Sequence, residues 1–82
     1  MTKHETLRCE DLLYEAIRIA EQSREEFEIV KQCFKNDDMY GCERNQRISD
    51  RHWGYAEGIF KSLNELGFEH REMKRLQDLI RW

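Results

Sequence analysis

The chain has 82 residues, 38% charged and 39% apolar, with a net charge of −3, three cysteines, four glycines and no proline. That length holds one domain, residues 1–82, and the lack of proline with so little glycine excludes a disordered linker or a turn-rich β fold. No apolar run approaches the roughly 18 residues that span a bilayer. An odd cysteine count, no CxxC pair and no signal peptide read as a reduced, cytoplasmic protein.

The first predicted helix covers about residues 4–34. Cys9, Leu13, Ala16, Ala20, Ser23, Phe27, Val30 and Phe34 follow one another at alternating steps of four and three, the seam of a helix packed lengthwise. Leu12, Ile19 and Cys33 widen that seam. Its middle layer, Ala16, Ala20 and Ser23, is small enough for a neighbour to come close. Ser23 and Glu26 also match a capping box, which marks Gln22 as the place for a break; an unbroken helix is the reading taken.

Residues 36–41, Asn-Asp-Asp-Met-Tyr-Gly, read as a turn. The second helix is evident by Asp50 and ends near Leu66. Two starts fit. Ser49 can cap it, with Ile48 and Trp53 as a hydrophobic staple; Asp38 can begin it earlier, because nothing from Cys42 to Gln46 breaks a helix. Gly67 is the strongest stop, the left-handed residue of a Schellman motif with Phe68 covering Leu63. A third helix, about residues 69–81, puts Met73, Leu76 and Ile80 on one face. The fold class is therefore all-α: an antiparallel helical hairpin with a shorter third C-terminal helix, a small helical bundle.

At about 100° per residue, Tyr55, Ile48, Leu66, Ile59, His52, Leu63, Ala56 and Phe60 form the apolar face of the second helix, with Trp53 at its edge. Arg47, Arg51, Gly54, Gly58 and Ser62 fall on another side. Each glycine in a helix interior costs about 1 kcal/mol against alanine. A strip without Cβ atoms lets another backbone approach. Arginines at its N-terminal end suit an acidic partner helix, through forked bonds to carboxylates. The competing reading is a merely solvated face. Trp53 and Trp82 are the second-rank anchors of a partner site.

Charge is uneven: residues 1–43 sum to −5 and residues 44–82 to +2. Arg44, with Arg71, Lys74 and Arg75, is a possible contact for an anion or a nucleic acid, although a nucleic-acid binder is usually more basic overall. Cys33, Cys42 and His52, with His4 or His70, lack the paired close spacing of a zinc site, so no metal and no cofactor are expected. A Cys–His nucleophile would need a pocket and an oxyanion hole that short helices rarely supply. No phosphate loop, GKS/T or HExxH pattern occurs.

The expected function is thus non-enzymatic. The chain reads as a small protein-binding module, a regulator or inhibitor that blocks a larger partner, of the kind phages and mobile elements encode. It is expected to form a homo-oligomer, most simply a homodimer, because a hairpin of this size has little core of its own. The alternatives are a nucleic-acid-binding regulator using the basic second half, and a helical oligomer that sequesters a small anionic ligand.

Overall fold

The computed structural model describes residues 1–81, of which 84% are helical. Trp82, expected as an anchor, lies outside the described residues. Helix α1 spans Lys3–Lys35, α2 spans Met39–Glu65 and α3 spans Met73–Ile80. The first two form an antiparallel hairpin, and α3 packs back against both. No described helix is long and apolar enough to cross a membrane.

Capping explains where each long helix starts and stops. Thr2 caps α1: its Oγ1 accepts the Glu5 amide at 3.1 Å and donates to the Glu5 carboxylate at 3.0 Å. At the other end Asp37 takes the left-handed conformation, φ +58°. The amides of Asp37 and Asp38 then bond the carbonyls of Phe34 (3.2 Å) and Cys33 (2.8 Å), a Schellman cap built without glycine. The next residue, Asp38, caps α2 by accepting the Gly41 amide at 2.9 Å. One helix ends and the next begins within three residues.

The early start of α2 is therefore the correct one, and Ser49 is not a cap. It is buried in mid-helix opposite Ser23, with exposures of 2% and 0%. The Ser23 hydroxyl donates to the Ser49 carbonyl at 2.9 Å, and the Ser49 hydroxyl donates to the Ser23 carbonyl at 3.0 Å. Such reciprocal bonds require close helix backbones. The small residues Ala16, Ala20 and Ala56, all buried, supply that approach. The pair also fixes register, because sliding either helix by one residue would leave both hydroxyls without their partners. α1 runs unbroken through Gln22.

α2 ends as expected. Gly67 has φ +73°, its amide bonds Asn64 and the Phe68 amide bonds the Leu63 carbonyl, each at 3.0 Å. Phe68 and Leu63 are both buried. Two substitutions at these caps should have opposite signs. Gly67→Ala forces a Cβ into the left-handed region and is expected to cost about 1–2 kcal/mol. Asp37→Gly relieves the same strain and should gain up to about 1 kcal/mol. Denaturant midpoints of the two variants check both at once.

α3 is shorter than expected, because residues 69–72 stay non-helical. An isolated eight-residue helix is unstable in water. Leu76 and Ile80 hold it by burial, and Met73 packs beside them. Its C-terminal carbonyls, which have no helical partner, are claimed from outside. Arg24 of α1 donates to the carbonyls of Leu79 (2.9 Å), Asp78 (2.8 Å) and Arg81 (3.3 Å). Trp53 Nε1 donates to the Ile80 carbonyl at 2.8 Å.

The core contains Cys9, Leu13, Ala16, Ile17, Ala20, Ala56, Leu63, Phe68, Leu76 and Ile80. Four expected core residues depart from it. Leu12 is 41% exposed, Phe34 69%, Tyr55 49% and Leu66 64%. Phe34 lies at the hairpin tip, one residue before α1 ends. Tyr55 and Leu66 lie on the flank of α2 away from Trp53, and α3 covers only the Trp53 side.

Candidate functional site

The strip expected along α2 is present, but the structure divides it between two grooves. Nearer the hairpin tip, Tyr40, Glu43, Arg44, Arg47, Ile48 and Arg51 line a cavity of about 300 Å³. Farther along, Gly54, Gly58 and Ser62 join Leu12, Tyr55, Ile59 and Leu66 around an open groove of about 410 Å³. The first groove is rich in arginine and the second is apolar.

Among the described residues, Arg44, Arg47 and Arg51 make no ion pair or side-chain hydrogen bond. All three residues are exposed. Tyr40 stands in the same groove and is 77% exposed. Met39 and Phe34, near the same end of the hairpin, are 60% and 69% exposed. The tip is the part of the site that sequence reasoning missed. Residues 36–41 read as a turn, and the aromatic signal of Tyr40 was lost in it.

Gly41 shows why the tip is tightly built. A Cβ there would meet the Asp38 carboxylate and sit 2.9 Å from Cys33 Sγ, so any other residue must displace the Asp38 cap or the Cys33 thiol. Gly54 and Gly58 differ: a Cβ on either has nothing within 4 Å. Nothing among the described residues requires them to be glycine.

The other candidates are occupied. Trp53 is half-buried and spends its indole N–H on α3, so it anchors the fold. Arg75 pairs with Glu21 at 2.6 Å and lies 3.7 Å from Glu72. Arg71, Lys74 and Arg75 line a groove with Arg24 and Asp78, separate from that of Arg44, Arg47 and Arg51. The two basic groups therefore do not form one anion site. His52 Nδ1 lies 3.0 Å from Glu26, and His70 Nε2 lies 3.3 Å from Glu10. Burial, then the neighbouring Cys33 and Asp38, push the Cys42 thiol up from its ordinary value, which disfavours the thiolate. Its Sγ lies 3.5 Å from the Val30 carbonyl. No group of three His, Cys, Asp or Glu among the described residues is placed to hold a metal ion.

One titration reports on the apolar groove. Tyr55 donates to Glu15 at 3.3 Å across the hairpin. The Glu15 charge, then partial burial, then this hydrogen bond raise the phenol above its ordinary value. The folded state thus favours the neutral phenol. Its contribution is complete below the free tyrosine value of about 10 and is lost as pH rises through the raised folded value. Absorbance titration should show the Tyr55 transition moving to lower pH in Glu15→Gln, which removes the largest cause of the rise.

Comparison with family models, curated proteins and solved structures finds no match to this chain.

Proposed function

We propose that this chain is a non-enzymatic protein-binding module that regulates or inhibits a larger partner by covering part of its surface, with the hairpin tip and the arginine groove as the docking face. The observation that carries this reading is the set Arg44, Arg47 and Arg51, unpaired beside the exposed Tyr40. Protein interfaces are enriched in tyrosine, methionine and arginine. Binding energy concentrates on such aromatic and arginine anchors. Three free guanidinium groups along two turns of helix suit a partner with acidic side chains, which they can bind in a forked geometry. The partner's apolar surface would close over Tyr40, Met39 and Phe34.

The test is affinity capture from a host extract with the wild type and with Tyr40→Ala/Arg44→Glu. Both side chains are exposed, so helicity by circular dichroism should not change. The expected result is a partner protein held by the wild type in stoichiometric amount and lost by the variant. Capture of the same proteins by both forms, or of none, overturns the reading.

A second reading has its own observation. Tyr40 shares a groove with three arginines, whereas Trp53 does not, and an exposed ring beside cations is the platform on which single-stranded nucleic acid stacks. The net charge of −3 opposes it. A gel shift at low salt, with binding that falls steeply as salt rises, would favour this reading.

A further inference from the structure

The glycine groove lies next to the docking face just described and meets it at Arg51, and its shape and charge specify their own occupant. We propose that it is the interface with a second copy of this chain, the two α2 helices packing antiparallel about a two-fold axis at Gly58.

Exposed area gives the first argument. A compact monomer of 10.1 kDa exposes about 5,300 Å², yet this chain exposes 6139 Å². The excess, about 850 Å², is close to the roughly 800 Å² that each partner buries in a standard interface. The extents of 52 × 17 × 16 Å show its origin: two long helices side by side have more flank than the short α3 can cover. The uncovered flank carries Leu12, Tyr55 and Leu66, which are 41%, 49% and 64% exposed.

The second argument is the spacing of charge. Arg51, Gly58 and Glu65 are each seven residues apart on α2. Two helical turns separate them, about 10.5 Å per step, and they drift only about 20° per step around the helix. Arg51 and Glu65 are thus equidistant from Gly58 on one face and opposite in charge. Neither makes an ion pair among the described residues. A two-fold axis at Gly58 places each Arg51 against Glu65 of the other copy, giving two ion pairs. The same operation sets Gly54 against Ser62 and Gly58 against its own counterpart, a layer without bulky side chains across the contact. This is the self-complementary patch an isologous dimer requires. Parallel packing in register would oppose arginine with arginine and glutamate with glutamate, so the charge pattern selects the antiparallel arrangement.

The test is solution mass by sedimentation or light scattering over a dilution series. The wild type should weigh twice 10.1 kDa. Gly58→Leu has open space in the monomer and should remain helical at half that mass. Arg51→Glu and Glu65→Arg should each weaken association tenfold or more, by setting like charges opposite one another. The double variant Arg51→Glu/Glu65→Arg should restore it. A monomeric wild type overturns the proposal. So does a dimer that Gly58→Leu leaves intact, or a double variant no tighter than the singles. Arg51 also lines the docking face, so the two losses are read separately with Gly58→Leu and Glu65→Arg, which alter no residue of that face: either should lose the dimer and keep partner capture.

Discussion

Leu63→Ala is expected to remove about 3–5 kcal/mol of folding stability. An 82-residue domain has only about 4–12 kcal/mol in total, so this one change should remove at least about a quarter of it. Leu63 is fully buried and shares a cluster with Phe68 and Leu76, where α1, α2 and α3 converge. Its carbonyl also receives the Phe68 amide in the Schellman turn. That turn fixes the backbone on one side, so the site cannot collapse readily around the missing atoms, and the penalty should fall in the upper part of the usual range. Urea unfolding followed by circular dichroism at fixed protein concentration is the check. A loss below about 1 kcal/mol would mean that the junction of the three helices is open to water.

Ser23→Leu should be about as damaging, for the opposite reason. Ser23 is fully buried where the two long helices are joined by hydroxyl–carbonyl bonds of 2.9 and 3.0 Å. A leucine there must push α1 and α2 apart, and overpacking of this kind costs about 1–3 kcal/mol, occasionally more. The lost hydrogen bond adds about 1 kcal/mol. Ser23→Ala isolates that second part. It removes one donor, but the Ser49 hydroxyl still donates to the Ser23 carbonyl. Ser23→Ala should therefore lower Tm by about 4–8 °C, and Ser23→Leu by several times as much. Equal shifts would show that the serines contribute hydrogen bonding alone, with no constraint on helix separation.

Much of this fold was readable in the sequence because its signals are local. The alternating steps of four and three from Cys9 to Ser23 define the seam without knowledge of its partner, and Gly67 with Phe68 specifies the end of α2 from within the helix itself. What was not readable depends on residues far apart in the chain. Ser49 has the chemistry of a helix cap and also of a buried hydroxyl; only Ser23, 26 residues away, decides between them. Asp37 gives the turn a left-handed residue where glycine is the usual signal, so the start of α2 was left open. Tyr55 and Leu66 follow the apolar period as faithfully as Leu63 does, but periodicity cannot tell which flank a short third helix will cover. The candidate site was half legible for the same reason. The glycines and arginines announce themselves by spacing, whereas the groove containing Tyr40, Arg44 and Arg47 exists because α2 begins at Met39, which puts all its lining residues on one helix.

The attachment of α3 divides the molecule in time as well as in space. Its far end is fastened by Arg24 and Trp53, while its first turn has no side-chain cap, follows a non-helical segment and is tied to α1 by the exposed pair Arg75–Glu21, a kind of contact that adds little. Opening should therefore begin at Met73 and travel toward Ile80, leaving the serine-clamped hairpin closed. In native-state hydrogen exchange, the amides of α3 should form their own low-energy opening unit, separate from the slowest amides around Ser23 and Ser49. Each such event would briefly uncover Leu63 and Leu76, so how long those side chains meet water is set by how firmly an arginine and a tryptophan on the neighbouring helices hold the last carbonyls of α3.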